Sequence, residues 1–501
     1  VPNRQPPDPA GPENPAIVWF RDDLRLADNP ALAAAHASGK PLVLLYVLDE
    51  TSPGVRPLGG AAKWWLDKSL RAFGDAIAKK GGRLILRRGQ AEAEIASLLR
   101  ETGADAVYWN RRYGAARETD ARIKKALQGR GVEAHSFNGA LLVEPMDLKN
   151  GSGEPYKVFT PFWRALQQAI ALPPVSPEPR QLGSCGEVKS AAVADWALHP
   201  AAPDWSEGLA RTWTPGEAGA RKRLRDFLKD EINGYAGNRD LPALDCSSHL
   251  SPHLHFGEIS PAQIWRAAIH AQEEAVACER DIQKFLSELA WRDFSHHLLF
   301  HDPKMTHLSW RREFEDVAWR RLPEKEFRAW SRGLTGYPIV DAGMRQLWAT
   351  GYMHNRVRMI AASFLTKDLL GHWRKGEQWF WNTLVDADEA NNAMGWQWVA
   401  GSGADAAPYF RVFNPVLQGE KFDPEGAYVR TWAPELAGLP DRYIHKPWEA
   451  PALELAAAGV TLGVTYPEPI LDHGFARKRA LDAYGDIKQS TKVRVRAGEQ
   501  A

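Results

Sequence analysis

The chain has 501 residues, 44% hydrophobic and 25% charged, enough for two or three folded domains and unlike a disordered or fibrous composition. Lys plus Arg (63) and Asp plus Glu (62) nearly cancel to a formal net charge of +1, so a polyanionic partner has to be held by a local basic patch. The three cysteines, Cys185, Cys246 and Cys278, lie far apart without paired ligand spacing, which argues against a disulfide framework and a zinc site and makes a reducing cytoplasm the simplest compartment.

Residues 1–14 are rich in proline and lack an apolar signal-peptide core, so they read as a disordered tail. No stretch approaches the roughly 18 apolar residues of a membrane span. Ala16 to Phe20 is a short apolar run closed by Arg21-Asp22-Asp23, and Pro41 to Leu48 repeats the theme up to Asp49; both read as buried parallel strands. Helical periodicity over Ala61 to Lys80 is followed by an apolar Leu84 to Leu86, a helix near Ala91 to Thr102 and a strand over Ala104 to Trp109. This alternation predicts an α/β domain over residues 15–145 with a doubly wound, Rossmann-like parallel sheet. No G-x-G-x-x-G follows the first strand, so a conventional dinucleotide site is missing there.

Residues 146–217 are rich in Pro, Gly and Ser and read as a long interdomain linker, with a short helix allowed over Phe159 to Ile170. Beyond Ala218 apolar residues recur at helical spacing, as in Ile282, Phe285, Leu286 and Leu289, with breaks at Pro303, Pro338, Gly371 and Pro408. An all-helical domain is expected over 218–485, followed by a short polar tail over 486–501.

Tryptophan is unusually abundant, 21 residues against 18 Phe and 12 Tyr. A buried indole must satisfy its N–H, so cores use Trp sparingly, and the excess points to redox chemistry or base stacking. On a helix, Glu288, Trp291 and Arg292 share one face by their i, i+3 and i+4 spacing, which can line a polar cavity as readily as form a surface ion pair. Asp386, Asp388 and the Asn391-Asn392 pair occur in a weakly helical segment where acids and amides cap helices or close turns. Asn355, Arg356 and Arg358 add an amide and two cations, either phosphate contacts or a solvated helix face; His354 alone carries little weight.

Taken together, WFRDDLRLADN (Trp19 to Asn29), SHLSPHLHFG (Ser248 to Gly257), ELAWRDF (Glu288 to Phe294), TGYPIVDAGMRQ (Thr335 to Gln346) and ADAAPYFRVFNP (Ala404 to Pro415) resemble the photolyase/cryptochrome family, and bacterial cyclobutane pyrimidine dimer photolyases most. The resemblance runs from about Ile17 to Tyr484. It implies FAD folded into a U within the helical domain, and a second, antenna chromophore site near the α/β domain, for which methenyltetrahydrofolate, 8-hydroxy-deazaflavin or an empty site all stay open. By motif position Tyr235, Ser247, Ser248, His249, Leu250, Ser251, Phe285 and Arg292 resemble flavin phosphate, ribitol and neighbouring contacts. Asp386, Ala387 and Asp388 resemble the residues at the isoalloxazine edge, with Asn392 facing flavin N5. An amide there accepts from a protonated N5 without placing negative charge beside an anionic ring, whereas the family's plant cryptochromes resemble an arrangement with Asp.

Trp396, Trp373 and Trp319 match the family's electron-transfer series, and Trp291 and Trp398 match the pair flanking an extruded dimer. Glu288 falls on the dimer-contacting glutamate, where burial that raises its pKa would let it donate to the lesion as well as accept from it. Arg239, Ser295, Asn355, Arg356, Met359 and Arg411 fall on DNA-side positions. The implied activity is light-driven splitting of dimers in UV-damaged DNA by a monomeric cytoplasmic enzyme. A (6-4) photolyase would resemble the family's paired-histidine members, but Asn355 and Met359 stand at those positions. A cryptochrome photoreceptor and a dark flavoprotein are the remaining alternatives.

Overall fold

The computed structural model describes residues 14–183, 186–405 and 411–498, with only the backbone of 488–498. The expected N-terminal tail, apart from Asn14, lies outside these residues, as do Cys185 and the centre of the motif at Ala404 to Pro415. Five strands, β1 (Ala16–Phe20), β2 (Leu42–Leu48), β3 (Leu84–Arg88), β4 (Ala106–Asn110) and β5 (Glu133–Phe137), form one sheet in the order β3-β2-β1-β4-β5. Every pairing is parallel, with Ala16 opposite both Leu42 and Ala106.

The near-continuous apolar runs of β1 and β2 follow from this topology, because a sheet covered on both faces buries every residue of its central strands. Val18, Phe20, Leu44 and Tyr46 pack with α1 (Pro30–Ala37) and α2 (Gly60–Ala78). Ile17, Trp19, Val43 and Leu45 face the other way, against α3 (Ala91–Thr102) and α4 (Ala116–Gln128). The sheet is therefore doubly wound, as expected, although α1, α4 and β5 are additional to the elements read from the sequence.

The segment expected as a linker contains helices Phe159–Ala169 and Glu207–Thr212 and packs tightly. It shields the open edge of β3: Ala191 N donates to Leu86 O at 2.9 Å, and Leu86 N donates to Ser190 Oγ at 2.9 Å. No strand of a sheet occurs among the described residues beyond Ala218. The core there is built on the long helix Glu279–His301 together with Pro338–Thr350, Asn355–Ser363, Trp373–Thr383 and Glu389–Ala400. Pro338 begins a helix at the position where a missing N–H costs nothing. The expected polar tail is corrected in one respect: a single helix, His473–Gly498, carries the backbone through most of it.

Two of the long motifs meet where the sheet half docks on the helical half. Arg25, fully buried, donates to Gly257 O at 2.9 Å, Gly139 O at 2.7 Å and Asp28 O at 2.8 Å. Leu24 N donates to Phe256 O at 3.0 Å. Gly257 has φ +61°, and a Cβ there would lie 2.0 Å from Asp22 O, so only glycine fits this approach.

Candidate functional site

A cavity of about 570 Å³ opens in the helical half between the loop before helix Ser251–His255, the helices Glu279–His301, Asn355–Ser363 and Glu389–Ala400, and the turn 384–388. Its wall contains Tyr235, Ser248, Leu250, Ser251, Phe285, Arg292, Asp386, Ala387, Asp388 and Asn392. The same wall holds Arg239, Glu288, Trp291, Ser295, Asn355, Arg356, Met359, Trp396 and Trp398. Ser247 and His249 border a smaller adjoining space of about 140 Å³, whose other walls include Tyr235 and Ser248. Trp319, Trp373 and Arg411 are not part of the cavity wall. Arg411 is exposed, with its guanidinium 4.8 Å from the Phe413 ring.

The floor is set by charge. Asp386 Oδ2 accepts from Ser251 Oγ at 2.6 Å and from Arg358 Nη2 at 2.9 Å, while Asp386 Oδ1 is buried without a partner among the described residues. Arg358 is thus committed to Asp386, where its spacing alone left phosphate contact and a solvated helix face both open. Asp388 caps helix Glu389–Ala400 through Asn391 N at 2.7 Å. Burial pushes the Asp388 carboxyl up, but His296, His255 and Arg292 outweigh it and hold the group below the usual range.

Asn392 is buried on this helix, and its Nδ2 donates to Glu377 O at 3.0 Å and Glu377 Oε1 at 2.7 Å. Two acceptors on one side assign the amide orientation, leaving the carbonyl oxygen for the cavity. Arg292 Nη1 donates to Ala140 O at 2.6 Å. Arg223 holds the serine loop by its carbonyls, donating to Ser248 O at 2.9 Å and Ser247 O at 3.0 Å.

At the mouth, Trp291 stacks on Phe159 with centroids 3.7 Å apart and planes 7° from parallel, so a residue of the connecting segment stiffens this wall. Glu288 stands in the cavity wall, partly open to solvent. Its side chain is 24% exposed and pairs with Arg239 and with Lys284, each at 2.7 Å. Arg356 pairs with Asp240 at 2.6 Å and lies 4.3 Å from the Phe422 ring. Behind the cavity Trp396 meets Phe380 at 4.9 Å and Trp330 at 6.1 Å. Trp373 is fully buried, and His372 stands between it and the half-buried Trp319, 5.9 Å from the former and 5.4 Å from the latter.

Sequence reasoning missed Glu377, Lys284, Asp240 and Phe159. Only Lys284 carried a local signal, one helical turn before Glu288. A second cavity, of about 190 Å³, lies at the C-terminal ends of β1, β2 and β4 where the two halves meet, with Trp19, Arg21, Arg56, Arg112, Trp381 and Glu389 among its walls.

A family model described as the FAD binding domain of DNA photolyase matches residues 285–486, and one described as DNA photolyase matches residues 16–180. A deoxyribodipyrimidine photo-lyase of Agrobacterium fabrum is 52% identical over 480 residues, covering 95% of this chain and 99% of that protein. The chain belongs to the DNA photolyase and cryptochrome family. Cryptochrome-1 of Arabidopsis thaliana, another member, is 37% identical over 95% of this chain and 70% of its own length. The crystal structure of a bacterial class III photolyase from Agrobacterium tumefaciens superposes with a TM-score of 0.93 at 51% identity, covering 97% of this chain and 100% of that one.

As in other members of the photolyase family, the cofactor of this chain is FAD. The cavity fits it: the partnerless Asp386 Oδ1 can accept from a ring imide N–H, and the Asn392 carbonyl from a reduced ring nitrogen. No helix among the described residues is long and apolar enough to cross a membrane.

Proposed function

We propose that this chain is a deoxyribodipyrimidine photo-lyase that splits cyclobutane pyrimidine dimers in UV-damaged DNA under blue light. The observation that carries this reading is the placing of two indoles, Trp291 and Trp398, at the wall of the same cavity whose floor presents Asp386 and Asn392. Bound in this cavity, reduced FAD would supply the light-driven electron donor that the reaction needs.

The residues bind and orient. Asp386, fixed by Ser251 and Arg358, would hold the imide edge of the ring, and the Asn392 carbonyl would face N5. Arg292, Tyr235 and the serines of 247–251 hold the phosphates and ribitol. Trp291 and Trp398 replace the stacking that an extruded dimer loses, worth roughly 1–3 kcal/mol per base. Glu288, ion-paired to two cations, accepts from a thymine N3–H. Trp396, Trp373 and Trp319 would form a series of oxidisable indoles leading outward from the cavity. Met359 and Asn355 line the cavity where a (6-4) enzyme of the family would present histidines.

The second cavity is where the antenna chromophore, methenyltetrahydrofolate or 8-hydroxy-deazaflavin, sits in this reading. The organisation behind it is a sheet domain over 15–145, a connector over 146–217 and a helical domain over 218–485, acting as a monomer in the cytoplasm. The test is repair of a dimer-containing oligonucleotide, illuminated and in darkness. Repair that needs light is expected; dimers left intact under illumination by the reduced, FAD-loaded protein would overturn the reading in favour of a photoreceptor.

A further inference from the structure

The hydrogen bonds that orient Asn392 do not end at Glu377. Glu377 Oε1, which accepts from Asn392, also accepts from Arg56 Nη1 at 2.6 Å, and Glu377 Oε2 accepts from Arg56 Nη2 at 3.1 Å. Arg56 comes from the loop between β2 and α2, in the other half of the molecule, and borders the second cavity. Its guanidinium lies 3.9 Å from the centre of the Trp381 ring, and Trp381 Nε1 donates to Pro57 O at 2.9 Å, so the loop is pinned on both sides. The Glu377 side chain is 3% exposed and that of Arg56 27%.

A carboxylate this buried is tolerable only when paired, and a two-pronged arginine both neutralises it and fixes its plane. The plane of Glu377 decides which oxygen receives the Asn392 amide, and the amide in turn decides that its oxygen faces the cavity. Three side chains from two halves of the molecule therefore act as one chain of constraint.

We propose that Arg56 is a positioning residue for the flavin: acting through Glu377, it holds the Asn392 amide so that its carbonyl faces the ring. This rests on the placing of Asn392 beside flavin N5 argued above. Removing Arg56 leaves the buried Glu377 carboxylate without its cation and free to leave its present plane. The Asn392 amide then keeps the Glu377 backbone carbonyl but loses its shorter, side-chain acceptor, and its own carbonyl is held less firmly toward the ring of reduced FAD.

The experiment follows reoxidation of chemically reduced, FAD-loaded protein in air and darkness by its flavin absorbance, with flavin content as the control. Arg56→Ala and Asn392→Ala are each expected to speed reoxidation by about tenfold, the loss of one charge-assisted hydrogen-bonded contact, while FAD content stays within about twofold of the parent. Arg56→Lys should recover part of the effect, because it restores charge without the fork. The double variant should be no faster than Asn392→Ala alone, since Arg56 works through that amide. A parent-like rate in Arg56→Ala with a fast Asn392→Ala, or effects that multiply in the double variant, would overturn the role of Arg56. A parent-like rate in Asn392→Ala would instead remove the flavin placement on which it depends. Should Arg56→Ala not fold, Glu377→Gln interrupts the same chain with little change of shape, and a parent-like rate there overturns the proposal equally.

Discussion

An indole that gives up an electron becomes a strong acid, and what its N–H touches decides whether it keeps its proton. The Nε1–H groups of Trp396, Trp373 and Trp319 have no acceptor among the described residues. In the proposed series an oxidised indole would therefore find no protein group among the described residues to take its proton. Composition announced the excess of tryptophan, but each of these residues alone reads as core, and Trp373 and Trp396 are core. At Glu288 the sequence was half informative: Lys284 is one turn away, whereas Arg239, 49 positions distant, is brought there only by folding. Arg356 shows the same limit, because its pairing with Asp240 could not be read from spacing. For DNA binding, Arg356→Ala should reduce the salt dependence by at most the ~0.9 expected for one phosphate, and by less because Asp240 already neutralises part of the charge. Asp240→Asn should tighten binding and steepen that slope. Measuring affinity for a dimer-containing duplex across a salt series checks both, and an unchanged slope in both variants would remove this pair from the interface.

At the scale of elements, the start of helix Asn355–Ser363 ties structure to pH. His354 Nδ1 caps it by accepting from Arg356 N at 3.2 Å, which only a neutral ring can do at that atom. Burial lowers the His354 pKa from 6.5 to about 4. An unfolded chain therefore binds this proton before the folded one does, so the contribution is intact above pH 6.5 and is lost as pH falls toward 4. His354→Asn keeps a capping acceptor without the titration, and its melting temperature should fall less than that of the parent over the same acid range. Identical curves would show that the cap does not titrate there. The cap itself was invisible in advance because histidine is not a preferred capping residue, whereas Asp388, which is, had been read as a helix or turn signal. The strands divide in the same way. β1 and β2 were legible because burial on both faces makes them apolar throughout, and β5 was not, because at the edge of the sheet only Ala134 is buried.

The whole molecule is held by contacts that no local pattern displays. Arg25 reads as one charge in a charged motif, yet it is fully buried because three carbonyls, one of them from Gly257 at a separation of 232 residues, converge on it. Both motifs that meet there were recognisable as strings, but their meeting was not. Gly257→Ala should lower unfolding stability by about 2–4 kcal/mol, since a left-handed backbone and an overlap with Asp22 O add together. Gly131→Ala provides the comparison, with φ +76° and nothing within 4 Å of the added atom, and should lose only about 1–2 kcal/mol. Equal losses in thermal denaturation would mean that the docking surface yields to the methyl group. The Arg292 contact extends the dependence to the flavin cavity, because its guanidinium leans on Ala140 O, which lies before the connector. Cutting the chain near residue 145 would thus take from Arg292 the backbone carbonyl on which it leans, and a C-terminal fragment expressed alone should emerge from purification largely colourless.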